Sequence, residues 1–137
     1  MKSLIAISFF LLSFGLTGDI TTELQQQATT ENKNIAVYFC GSDWCANCNR
    51  FKREVLSVPE VDSLLDNAFV YYTADFPQAT KQEKHVVSAN EFLAEKLNPA
   101  GEFPVLVIAS PDWKVKAKIY RGGTAGEIAA KLKQNSK

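Results

Sequence analysis

Cys45 and Cys48, three positions apart, are the residues of this chain best suited to do chemistry. They stand in Trp44-Cys45-Ala46-Asn47-Cys48, directly after the apolar run Ile35–Phe39. On the first turn of a helix, the C-x-x-C spacing brings two sulfurs close enough to close a small disulfide ring. A helix start also provides a local field that favours thiolate over thiol. Only the thiolate attacks a disulfide, so a strand that delivers both cysteines to a helix start would create the reactivity. The chemistry this pattern points to is thiol–disulfide exchange.

The elements that must hold the pair can be read on either side of it. Asp19–Lys33 is polar, with Ile20, Leu24 and Ala28 at helical spacing, and Asn32-Lys33-Asn34 ends that helix. Ile35–Cys40 is continuously apolar, as suits a central strand buried on both faces. Gly41-Ser42-Asp43 is a turn, in which Ser42 or Asp43 is expected to cap the next helix. That helix is expected over Cys45–Ser57, with Cys48, Phe51 and Val55 on its inner stripe. Pro59 opens a short helical piece containing Val61, Leu64 and Leu65. Phe69–Ala74 reads as a strand, ended by Asp75-Phe76-Pro77. Lys81–Leu97 reads as a helix with Val86, Phe92, Leu93 and Leu97 inward, stopped at Asn98-Pro99-Ala100-Gly101. Val105–Ala109 is a second apolar strand, and Val115–Arg121 pairs back on it across Ser110-Pro111-Asp112. A final helix is expected over Ala125–Gln134, with Ile128 and Leu132 inward. Alternating elements followed by a hairpin imply an α/β fold, a mixed sheet with helices on both faces.

Composition narrows the function classes. The 137 residues suffice for one ordinary domain, with 46% hydrophobic and 22% charged residues. Fifteen basic and fifteen acidic residues cancel, which leaves no electrostatic footprint for nucleic acid. Lys114, Lys116 and Lys118 alternate along a strand and read as a solvated, charged edge. Leu4–Leu16 is an apolar stretch after Met1-Lys2, broken only by Ser8, Ser13 and Gly15. It has the length of a signal-peptide core and falls short of the roughly 18–20 residues that span a bilayer. Residues 1–18 are therefore expected to be a signal peptide and 19–137 the working domain, periplasmic or secreted, where disulfides form and need managing.

With Phe103-Pro104 immediately before the apolar strand Val105–Ala109, and a hairpin and closing helix after it, the pattern resembles the thioredoxin superfamily. The resemblance covers Ile35–Leu132 and is sharpest in Gly41-Ser42-Asp43-Trp44-Cys45-Ala46-Asn47-Cys48. It is closest to secreted bacterial thioredoxin-like proteins with a Gly-Ser-Asp-Trp-Cys-x-x-Cys site, in which an Asp-Phe-Pro follows the next strand, as Asp75-Phe76-Pro77 does here. The resemblance implies a three-layer fold around a sheet of about four strands. It implies Cys45 as nucleophile and Cys48 as the resolving thiol one turn deeper, with no cofactor and no metal. Trp44 would flank the sulfur and shape the docking surface. Pro104 would match the family's cis-proline, and the Phe103 backbone would pair with an extended substrate segment.

One position departs from the family. Many thioredoxins hold a buried acid six residues before the first cysteine, and here that residue is Phe39. Asp43, Asp75 or water would have to take its place in moving protons. Ala46-Asn47 brings no charge to stabilise the Cys45 thiolate, which favours a reductase over a strong oxidant. A monomer acting on protein disulfides and dithiols is expected, drawing electrons from a membrane-embedded thiol carrier. The competing readings are a disulfide oxidase or isomerase and a non-catalytic binding or chaperone module. A zinc or copper site is weaker still, since zinc wants four ligands and only Cys40 and His85 remain to join the pair. Cys40 reads as a small buried hydrophobe, with a regulatory thiol as the sharper alternative, and His85 reads as a surface residue.

Overall fold

A computed structural model describes residues 19–137. The expected signal segment, residues 1–18, lies outside the described residues. In chain order the elements are α1 (Ile20–Glu31), β1 (Asn34–Cys40), α2 (Ala46–Phe51), a π-helical turn (Lys52–Leu56) and α3 (Pro59–Ala68). They continue with β2 (Phe69–Asp75), α4 (Lys84–Leu97), β3 (Val105–Ala109), β4 (Val115–Tyr120) and α5 (Ala125–Gln134).

The four strands form one mixed sheet in the order β2-β1-β3-β4. β1 runs parallel to β2 and antiparallel to β3, and β4 pairs antiparallel on the outer side of β3. Every residue of β1 and of β3 is buried, because helices cover both faces. Ala36, Tyr38 and Cys40 point to one face, where they meet Phe51, Leu56, Val61, Leu65, Ile128 and Leu132. Ile35, Val37 and Phe39 point to the other, where Leu24 and Ala28 of α1 and Leu93 and Leu97 of α4 close over them. The expected three-layer arrangement is the one found.

Local chemistry explains most boundaries. Asn32 ends α1 in the left-handed conformation at φ 52°, a conformation that asparagine tolerates. Pro59 sits in the first turn of α3, where its missing N–H has no helical partner to lose. Thr124 and Glu127 form a reciprocal capping box that opens α5 at the expected residue.

Three expectations need correction. α4 begins at Lys84 rather than Lys81, and its fully buried face is Ala89, Asn90, Leu93 and Leu97, with Val86 and Phe92 half-buried. The single helix expected over Cys45–Ser57 is the short α2 followed by the π turn. Neither Ser42 nor Asp43 caps α2. Cys45 does, its Sγ accepting from the Cys48 N–H at 3.2 Å. Both expected caps are engaged elsewhere, by partners distant in sequence.

Candidate active site

The site lies where the parallel strands β1 and β2 end side by side, with Cys40 opposite Asp75 in register. β1 leads through Gly41-Ser42-Asp43-Trp44 into Cys45 at the tip of α2, and β2 leads into Phe76-Pro77. The two loops are sewn together. The Phe76 N–H donates to the Cys40 carbonyl at 2.8 Å. Asp75 accepts from the Ser42 N–H at 2.8 Å and from its hydroxyl at 2.6 Å. Asp43 returns the arrangement, accepting from the N–H groups of Gln78, Ala79 and Thr80 at 2.9, 2.7 and 3.2 Å. Asn90 fastens α4 to the same point, donating to the Asp75 carbonyl at 2.8 Å while it accepts from the Tyr72 hydroxyl at 2.8 Å.

Within that frame Cys45 and Cys48 are joined in a disulfide, with Cα atoms 5.2 Å apart. Cys45 is 8% exposed and Cys48 1%, so both are largely covered and Cys45 keeps the greater access. The Cys48 N–H that reaches the Cys45 sulfur is an orphan donor of the helix start, and it would stabilise negative charge on that sulfur once reduced.

An aromatic wall rises beside the pair. Trp44 is 43% exposed, and its indole N–H donates to the Phe76 carbonyl at 2.7 Å. Its ring meets Phe103 edge to face at 5.6 Å, and Phe103 meets Phe76 in the same way at 5.6 Å. Phe76 in turn stacks on the fully buried Phe39 at 6.5 Å. The position at which the family's acid is missing thus holds up the surface beside the disulfide. Gly41 completes the fit, since a Cβ there would lie inside the Trp44 indole. The Phe103-Pro104 peptide is cis, as the resemblance implies.

In the structure Asp43 and Asp75 brace the two loops. The three loop N–H groups, led by those of Gln78 and Ala79, hold the Asp43 carboxyl below its ordinary value. Ser42 occupies both oxygens of Asp75. Cys40 is free and buried, its sulfur 3.7 Å from Asp75 Oδ1. Burial first, and then the Asp75 charge, push its thiol up to about 12, so it stays protonated and unreactive at neutral pH. His85 is exposed on α4. Among the described residues no three His, Cys, Asp or Glu side chains come together as a metal-binding group. Sequence reasoning missed the Asp43 brace and the buried Asn90. The strand-ending Asp75-Phe76-Pro77 was the available signal that this loop belongs to the site.

Residues 18–113 match the thioredoxin-like family, well over half of the chain. The chain belongs to that family. It is 26% identical over 112 residues to the disulfide bond reductase DsbH of Chlamydia pneumoniae, covering 81% of this chain and 67% of that protein. It is 27% identical over 104 residues to the thioredoxin-related protein DsbJ of the same organism. That match covers 76% of this chain and 29% of DsbJ, so the chain spans under a third of that relative. A solved DsbH oxidoreductase structure superposes with a TM-score of 0.73 at 26% identity, over 83% of this chain and 79% of that one. Family membership, these relatives and the paired sulfurs make thiol–disulfide exchange the chemistry of this thioredoxin-like domain.

Proposed function

We propose that this chain is a protein-disulfide reductase working outside the cytoplasm, with Cys45 as nucleophile and Cys48 as resolving thiol. The observation that carries the assignment is the cap. Cys45 holds the accessible N-terminal position of α2, while Cys48 lies one turn deeper and donates its N–H to the Cys45 sulfur. The reduced Cys45 thiolate attacks a substrate disulfide, forming a mixed disulfide and releasing one substrate sulfur as thiolate. Cys48 then attacks Cys45, the bond to substrate breaks, and the second substrate sulfur leaves. The substrate gains two electrons, the enzyme pair loses them, and the released thiolates take protons from water.

Trp44, Phe103 and Pro104 form the docking surface. The exposed indole gives a substrate chain an apolar platform beside the sulfur, and the Phe103 backbone pairs with it in extended form. The relative named a disulfide bond reductase supports the reducing direction, as does the uncharged Ala46-Asn47 between the cysteines. The protein acts as a monomer, cleaved after its signal segment, and is recharged by a membrane-embedded thiol carrier. Among the described residues no helix is long and apolar enough to cross a membrane.

Equilibrating the protein against glutathione buffers tests the direction. A Cys45–Cys48 potential at or below about −220 mV is expected of a reductase. A value of about −120 to −180 mV would move the protein to oxidase or isomerase work.

A further inference from the structure

Tyr38 takes no part in the chemistry above. It lies on β1 with no exposed surface, and its hydroxyl donates to the Cys48 carbonyl at 2.7 Å. Its ring meets Phe51, three residues on from Cys48, edge to face at 5.9 Å. A tyrosine hydroxyl is costly to bury unless it is paired. The next residue along the strand, Phe39, is equally buried without one, so packing alone asks only for a ring. The partner of this hydroxyl is the backbone of the second active-site cysteine.

That carbonyl does not depend on the tyrosine. The Lys52 N–H already turns back to the Cys48 and Asn49 carbonyls. Beyond Phe51 the helix widens into the π turn, which leaves α2 with six residues. So short a helix has little stability of its own. Tyr38 pins its middle to β1, a strand hydrogen-bonded on both sides by β2 and β3.

We propose that Tyr38 is a positioning residue for the resolving step, its hydroxyl holding the Cys48 turn so that the Cys48 sulfur stays aimed at Cys45 when the disulfide is open. The inference rests on Cys48 being the resolving thiol. In the oxidised protein the S–S bond itself fixes the turn. In the dithiol and in the mixed disulfide, the Tyr38 bond and the helix ladder must do so. Without the anchor these open states gain freedom that ring closure has to remove, and the effective concentration of Cys48 at Cys45 falls.

The experiment compares Tyr38→Phe with the wild-type chain, equilibrated against glutathione and read by alkylation of free thiols. The ring is kept and the Cys48 carbonyl keeps its helical donor, so the fold is expected to survive. The equilibrium constant for closing Cys45–Cys48 is expected to fall roughly three- to tenfold, the scale of one net hydrogen bond. That is a rise in potential of roughly 15–30 mV. The Cys45–glutathione mixed disulfide should persist longer by a similar factor. Ile128→Val, which trims the same core from α5 and leaves the Tyr38–Cys48 hydrogen bond in place, should lower Tm and leave the constant alone. A constant within twofold of wild type, or an equal shift in Ile128→Val, overturns the proposal. So does a Tyr38→Phe chain that does not fold, since the hydroxyl would then be holding the domain rather than one turn. A wild-type protein with no reversible couple against glutathione would sink the exchange chemistry itself, which is a different failure.

Discussion

The face of the sheet under α2 and the face under α1 are both densely packed, but they differ in what their side chains carry. Under α2 the buried set includes Tyr38, Cys40, Cys45 and Cys48 among its aliphatic residues. Under α1 and α4 it is Leu24, Ala28, Ile35, Val37, Phe39, Val70, Leu93 and Leu97, and the buried polar exception on α4, Asn90, holds the end of β2. Tyr38 and Asn90 each grip backbone at the site, Tyr38 at the Cys48 carbonyl and Asn90 at the Asp75 carbonyl. The apolar face supplies stability, and the other spends part of its volume on aiming two sulfurs.

Substitutions should separate the two faces. Cys45→Ser should bring disulfide turnover down to the uncatalysed rate in an insulin-reduction assay, and retained activity would refute the proposed mechanism. Cys48→Ser should still attack and then stall, leaving mixed disulfides with client proteins that are visible on non-reducing gels. On the opposite face, Leu93→Ala should cost about 2–5 kcal/mol in a urea titration, as truncation of a fully buried leucine does. The Cys45–Cys48 potential of that variant should not move, and a shifted potential would show that the faces are not independent.

Smaller effects belong to the rim. Trp44→Ala removes the exposed platform and should raise KM for protein substrates while leaving the glutathione equilibrium unchanged. An altered equilibrium would mean that the indole tunes the sulfur rather than docking the substrate. The smallest effect is expected at the Asp43 brace. Its carboxyl titrates below the ordinary 3.8 in the folded chain, because the Gln78 and Ala79 N–H groups prefer it ionised. It therefore stabilises the fold above that value and ceases to do so as acid takes the pH through its lowered one. The protection of the Gln78, Ala79 and Thr80 amides, their exchange measured against the intrinsic rate at each pH, should fall as acid takes the pH through the lowered value. In Asp43→Asn that protection should be low throughout and lack the step.

Much of the fold was legible because strong signals agree along the chain. The apolar runs of β1 and β3 suit central strands and are found as such, and α5 spans the expected Ala125–Gln134. The cysteine pair and its helix were legible for the same reason. What escaped were groups whose partners are remote in sequence. Asp43 reads as a helix cap because aspartate before a helix ordinarily is one, yet its carboxylate reaches more than thirty residues ahead to Gln78, Ala79 and Thr80. The inner stripe Cys48, Phe51 and Val55 was read correctly, but Leu56 is buried beside Val55, and the π turn brings both inward. Asn90 looks like a surface residue in a helical pattern, until the end of β2 supplies a carbonyl for it.

The two tryptophans of the chain stand at opposite ends of the sheet. Trp44 adjoins the disulfide beyond the end of β1, whereas Trp113 lies in the β3–β4 turn beside the start of β1, packed on Phe92. An indole next to a disulfide loses its excited state to the sulfurs by electron transfer, and one a strand's length away does not. Emission from Trp44 should therefore brighten on reduction against a steady background from Trp113. The protein carries its own optical gauge of oxidation state, with an internal reference, and needs no label to be followed through a turnover.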